Sequence, residues 1–325
     1  MTLHRRRLVQ SIGALAAASA LPQAARAQSY PSRPVKLVVG YAPGGATDIT
    51  ARLIGQWLSE KLKQAFVVEN RPGVATNIAT EAVINSPPDG YTLLMASAAN
   101  AINAEMYEKL KFNFVRDTAA VAGVIRMQNV LVVHPDVPAR NVAELIQYAK
   151  ANPDKLTYAS PGIGSPGHVS AELFKMMTGA PLTHLPYRGV APALTDLLSG
   201  RIKVMVDNMA TALPNITAGK VRALGVTTAA RSTLLPNLPT VAEGVPGYEA
   251  SSWFGVVAPK DTPRLAVETL NVEINRALAD PSIAVRFGTL GGTPLPGSPA
   301  DFSRMIAQET EKWAKVVRFA GAKVN

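Results

Sequence analysis

The chain has no cysteine among its 325 residues. That excludes disulfide bridges, thiolate metal sites and a cysteine nucleophile. Histidine is scarce too. Beyond the first 27 residues only His134, His168 and His184 occur, and their spacing suits no metal motif. There is no H-E-x-x-H stretch and no G-x-x-x-x-G-K-[ST] phosphate loop. A G-x-S-x-G elbow is also missing, because Ile163 stands two residues before Ser165. Aromatics make up 6% of the chain, and the basic residues are scattered without aromatic interleaving, which argues against nucleic-acid binding. No cofactor, metal or catalytic residue is expected.

Long apolar runs are absent with one exception. Arg5, Arg6 and Arg7 precede an apolar run over residues 8–21, which Pro22 ends, and Ala25-Arg26-Ala27 follows as a small-x-small cleavage pattern. This reads as an export signal over residues 1–27, cleaved near Ala27. The run is too short for a membrane anchor, which needs about 20 residues. The arginine pair suits a twin-arginine signal, and a Sec signal fits nearly as well. Removing four arginines and no acid from a formal net charge of +10 leaves about +6. A mildly basic surface draws in anions, although a plain solvated surface accounts for the same charge. The expected product is a periplasmic protein, not membrane-embedded, held by its 47% apolar residues rather than by disulfides.

The remaining chain alternates β-rich runs with amphipathic stretches. Strands are expected at residues 35–39, 66–69, 92–96, 130–133, 156–159, 182–185, 204–206 and 222–226. Helices are expected at 49–62, 76–84, 142–151, 169–177 and 191–198. In the first helix Ile49, Leu53, Ile54, Trp57, Leu58 and Leu62 are assigned to the buried face. From Pro263 onward the pattern is helical, over 265–278, 283–290 and 299–320. The alternation predicts a two-lobed α/β fold, each lobe a mainly parallel sheet flanked by helices. Crossings near residues 124–130 and 251–257 divide it into a discontinuous first lobe (28–127 plus 253–325) and an inserted second lobe (128–252).

Ligands of parallel α/β sheets bind in the loops after the strands. Four such loops carry candidates. In Tyr41-Ala42-Pro43-Gly44-Gly45-Ala46-Thr47-Asp48, adjacent glycines and a helix start make a backbone anion site; a plain capped turn is the alternative. Ser160-Pro161-Gly162-Ile163-Gly164-Ser165-Pro166-Gly167-His168 spells G-x-G-x-x-G, the dinucleotide fingerprint. It sits mid-chain and no acidic residue ends the next strand, so a second anion cradle fits better. There His168 either donates to a carboxylate or braces the loop. Tyr187 and Arg188 form the third loop, where Arg188 is either a bidentate carboxylate clamp or a surface residue. In the fourth, Asp207 and Asn208 end an apolar strand, as ligand partners or a helix cap.

Together these stretches identify the chain as similar to the tripartite tricarboxylate transporter substrate-binding proteins, or Bug family. Pro34-Val35-Lys36-Leu37-Val38-Val39, the Tyr41–Asp48 loop and Glu69-Asn70-Arg71-Pro72-Gly73 carry the resemblance. Asp89-Gly90-Tyr91-Thr92-Leu93-Leu94, Ala191-Pro192-Ala193-Leu194-Thr195-Asp196-Leu197, Leu238-Pro239-Thr240-Val241-Ala242-Glu243 and Ser252-Trp253-Phe254-Gly255 extend it, in order, over nearly the whole mature chain. The resemblance implies a type II-like periplasmic binding fold that closes on a small organic carboxylate. The backbone N–H groups of the Tyr41–Asp48 and Ser160–His168 loops would grip that ligand. A permease of large and small membrane subunits, or a sensor pathway, would be the partner. Tyr41, Asn100, Tyr187, Asp207 and Asn208 would shape the far end. Ala98-Ala99-Asn100-Ala101-Ile102-Asn103-Ala104 departs from the family pattern and is expected as a loop facing the distal part of the ligand. A triad is set by geometry rather than spacing, so a periplasmic hydrolase of small esters or amides stands as the enzyme alternative.

Overall fold

The computed structural model of the chain describes residues 30–324; the export signal expected over residues 1–27 lies outside the described residues. Strands β1 (Val35–Val39), β2 (Phe66–Asn70) and β3 (Thr92–Ser97) pair in parallel with β1 in the middle. Val35, Leu37, Val38 and Val39 are all buried, because helices cover both faces of this central strand. Helix α1 (Ala46–Leu62) makes the first crossover and α2 (Asn77–Ile84) the second. α1 buries Thr47, Thr50, Ala51, Ile54 and Leu58, a 3–4 residue spacing. Ile49, assigned to that face from sequence, is exposed instead. Its own turn also carries Thr50 and Ala51, whose small side chains let the helix lie closer to the sheet.

Helix α3 (Ala98–Met106) follows β3 without a loop, and the short α4 (Phe114–Asp117) precedes β4 (Thr118–Met127). Gln128 alone separates β4 from β5 (Asn129–Val133). Then come α5 (Val142–Ala151), β6 (Thr157–Ser160), α6 (Pro166–Thr178), β7 (Thr183–Pro186) and α7 (Val190–Leu198). They are followed by β8 (Val204–Asn208), α8 (Met209–Thr217), β9 (Arg222–Val226) and α9 (Val241–Gly244). The chain returns through β10 (Ser252–Pro259), α10 (Arg264–Ala279), α11 (Pro281–Thr289), β11 (Gly292–Pro294) and α12 (Pro299–Ala320).

Two sheets result, with strand orders β11-β4-β10-β3-β1-β2 and β7-β6-β8-β5-β9. The fold is a two-lobed α/β arrangement with helices on the sheets. Mainly parallel sheets were expected, and the pairing is mixed. β10 runs antiparallel to β3 and β4, and β5 antiparallel to β8 and β9. The reason is topological: β4, β5 and β10 are the strands beside the crossings between sheets, and a chain that leaves a sheet and re-enters beside its exit runs back against itself.

α12 ties the two layers together. It packs on α3 and β4 and also on α6, with Trp313, Val316 and Val317 buried. Gly255 makes this approach feasible. A Cβ there would stand 2.1 Å from Phe302 Cζ and 2.7 Å from the Ala122 carbonyl. Beside the crossings, Arg126 donates to Glu249 at 3.1 Å and to Ser251 at 2.6 Å, and Lys312 of α12 reaches Glu249 at 3.1 Å.

Candidate functional site

Between the two sheets lies a cavity of about 550 Å³. Tyr41, Thr47, Ala75 and Ala99 line it from the first sheet's loops, and residues 161–167, Gly189, Val190 and Asp207 from the second's. Asn129, Ser252 and Phe254 line it at the crossings. Asp207 is the one charged side chain among the lining residues.

The first loop is built by Asp48. Its carboxylate accepts from the Gly44 N–H at 2.9 Å, Arg52 Nε at 3.0 Å and Asn70 Nδ2 at 2.9 Å. Burial pushes this carboxyl up, but those hydrogen bonds together outweigh it and hold the pKa below its ordinary value. Asp48 is thus committed to bracing the loop. Gly44 stands at φ +88°, and Gly45 begins α1 with no side-chain cap. Ala46 is half-buried at the first helical position, and Thr47 lines the cavity. The Tyr41 hydroxyl pairs with Ser97 Oγ at 3.2 Å, and its burial raises its pKa.

The second loop is held from below. Ser165 caps α6 through the His168 N–H, and Gly164 at φ +77° donates to His168 Nδ1 at 3.2 Å. Ser160 Oγ lies 2.7 Å from His184 Nε2. That is the distance of a nucleophile–base pair, yet Ser160 is fully buried, does not line the cavity, and among the described residues no carboxylate hydrogen-bonds His184. The contact is structural. His168 is buried and braces the loop; it does not line the cavity.

The other candidates divide. Asp207 and Asn208 both line the cavity. Asp207 accepts from the Asn208 N–H at 2.8 Å and Thr211 Oγ1 at 2.7 Å, and burial raises its pKa. Asn208 caps α8 through the Ala210 N–H. Tyr187 points its hydroxyl to Asp196 at 2.7 Å; burial first, then that carboxylate, push it up to about 12. Arg188 is exposed and does not line the cavity. Asn100 is buried in α3, where its amide completes the Ser97 capping box and donates to Thr80 at 2.8 Å. The stretch expected as a distal loop is therefore a helix, and Ala99 is what reaches the cavity.

Two features escaped sequence reasoning. Gly189, at φ +112°, starts α7 without a side-chain cap, and it lines the cavity with Val190. Residues Val74, Ala75 and Thr76 all have positive φ, at 45°, 48° and 78°. That is a costly backbone for side-chain-bearing residues, and it puts Ala75 on the wall. A second cavity of about 560 Å³ lies beside β9, where Arg222 already donates to the Val137 and Ala139 carbonyls. It carries no uncapped helix start and is not the candidate site.

Residues 50–321 match the sequence model of the tripartite tricarboxylate transporter family receptor. The chain belongs to that family. It is 37% identical over 322 residues to Protein BugT of Bordetella pertussis, covering 98% of this chain and 99% of that one. Among solved structures, Rhodopseudomonas palustris Rpa4515 with adipate is similar at TM-score 0.78 and 42% identity, over 90% and 98% of the two chains. MatC from the same organism, with bound malate, is similar at TM-score 0.75 and 30% identity, over 89% and 100%. A receptor of the tripartite tricarboxylate family binds a solute and does not convert it, so the chain is not an enzyme. Members of the family are periplasmic binding proteins, and no helix among the described residues is long and apolar enough to cross a membrane.

Proposed function

We propose that the chain captures a small organic carboxylate between a lobe of residues 28–127 with 253–325 and a lobe of residues 128–252. It works in the periplasm after losing residues 1–27, and delivers its cargo to a permease of large and small membrane subunits or to a sensor. One observation carries this reading. The uncapped starts of α1 and α7, one from each sheet's loops, open on a cavity lined by no cationic side chain. A helix start carries about half a positive charge, and Asp48 in the first turn of α1 takes up part of the one there, so the two starts together offset part of a ligand carboxylate's charge. Binding from both sides favours the closed state by differential affinity. Of the sequence candidates, we assign ligand contact to Tyr41, Thr47, Gly164, Ser165, Asp207 and Asn208, which line the cavity.

Calorimetric titration of the purified chain with adipate, malate and the neutral diamide of adipate tests this. The acids should bind and raise the melting temperature, by an amount equivalent to about 2.7 kcal/mol at 100 Kd. The diamide should not. A Cβ at Gly45 meets nothing nearer than 4.0 Å, so Gly45→Leu should fold normally and lose binding. Equal binding of acid and diamide, or full affinity in Gly45→Leu, would overturn the assignment.

A further inference from the structure

The cavity wall over residues 161–165 has little conformational preference of its own, because Gly162 and Gly164 both stand at positive φ, +146° and +77°. Backbone bonds hold part of it, from the Ser165 N–H to the Gly162 carbonyl at 3.1 Å and from the Gly189 N–H to the Pro161 carbonyl at 3.0 Å, and two imidazoles brace it from beneath. His168 Nδ1 accepts the Gly164 N–H at 3.2 Å, and His184 Nε2 lies 2.7 Å from Ser160 Oγ. The rings stack on each other with centroids 4.2 Å apart, and Tyr158 stacks on His184 at 4.7 Å.

We propose that His168 is the positioning residue of this ligand loop. As a neutral ring it holds the Gly164 amide and keeps the cavity wall in place, and its protonation lets the wall go and releases the ligand. This rests on the carboxylate-capture reading and adds a control to it.

The chemistry is restrictive. A neutral histidine accepts through one ring nitrogen only, and a protonated one through neither. Accepting the Gly164 N–H therefore places the His168 proton on Nε2. The charged and titratable groups around the pair are His184 from β7, Tyr158 from β6, and Glu172 and Lys175 from α6. Glu172 is the one anion, and it is taken up by the Tyr158 hydroxyl and by Lys175 Nζ, the latter at 2.7 Å. It makes no hydrogen bond to either imidazole. Burial brings both rings down to about 4, helped by Lys175 for His168 and by the neighbouring His168 for His184. A proton on one ring opposes a proton on the other. It also turns the Gly164 N–H against a donor. The disturbance reaches the opposite sheet's elements, since Gly164 lies against Met106 of α3; a Cβ there would be 3.3 Å from the Met106 methyl.

The test compares wild type, His168→Leu and His168→Asn. The asparagine oxygen falls where Nδ1 stands, so it can accept the same amide without titrating. Adipate affinity is measured by calorimetry at about pH 7 and about pH 3.5, below the value to which burial brings the ring, and exchange of the Gly164 amide is followed by NMR without ligand. His168→Leu should melt cooperatively, expose the Gly164 amide to exchange and weaken adipate about tenfold at pH 7, the value of one hydrogen bond. His168→Asn should recover most of that loss. Protonation of adipate itself weakens binding equally in all three proteins, so the decisive quantity is the difference: wild type should lose more affinity on acidification than His168→Asn. Equal acid sensitivity in these two would overturn the proposal, as would a Gly164 amide equally protected in His168→Leu. If wild type ignores adipate at both pH values, the capture reading fails for this acid, and the amide exchange still decides the role of His168.

Discussion

In the unfolded chain His168 and His184 titrate near 6.5, whereas burial in the folded chain brings both to about 4. Between those values the unfolded chain binds more protons, so folding stability falls as the pH drops through that window. Melting temperatures from pH 7 to pH 4 should show this loss, and a His168→Asn/His184→Asn double variant should show a flatter acid limb. An unchanged limb would mean the two rings titrate alike in both states. At this scale the sequence was partly readable. Asp207 and Asn208, at the end of an apolar strand before a helix, reach the cavity as their position implies. Asn100 and Asp48 are equally polar, but their hydrogen-bonding atoms are committed to Thr80, Ser97, Gly44 and Asn70. Residue type gives the capacity for a bond. Which partner takes it is decided by segments distant in sequence.

Elements with their own punctuation were the legible ones. α5 runs from the cap Asn141, and α12 from the capping box of Ser298 and Asp301, over the residues expected of them. α3 was missed because its polar residues Asn100 and Asn103 are buried along with Ala98, Ala99, Ala101 and Ile102, so polarity there does not mark a solvent-facing helical stripe. Ser97 also ends β3 and caps α3 at once, so no turn residues separate the two. The left-handed run at residues 74–76 has no turn chemistry to announce it. Among the described glycines, Gly255 of β10 leaves the least room for a side chain. In Gly255→Ala the added methyl meets the Phe302 ring and the Ala122 carbonyl, and the carbonyl belongs to the paired strand and cannot swing away. This variant should lose about 1–3 kcal/mol in urea unfolding. A loss below about 0.5 kcal/mol would show that α12 can lift off β10 freely.

At the scale of the whole molecule, the two crossings and α12 meet at Glu249. Burial raises its pKa, but Lys312, Ser251 and Arg126 together bring it below its ordinary value. The stability it contributes is present above the unfolded value near 4.3 and disappears as the pH falls through the lower folded one. Glu249→Gln should cost about 1–2 kcal/mol at pH 7, a figure kept low because about a quarter of each side chain is exposed. The deficit should shrink towards pH 3, read by urea unfolding at each pH; a deficit that stays constant would show that the charge is irrelevant. The order of strands in the first sheet has a consequence in time. β10 stands between β4 and β3, so β1, β2 and β3 remain parted from β4 until residues 252–259 arrive. The second sheet draws on one unbroken stretch, residues 129–226, and needs nothing from either end of the chain. A chain that emerges from its N-terminus onward therefore completes the later lobe first, and the earlier strands wait with their hydrophobic edge open for a partner more than 150 residues downstream.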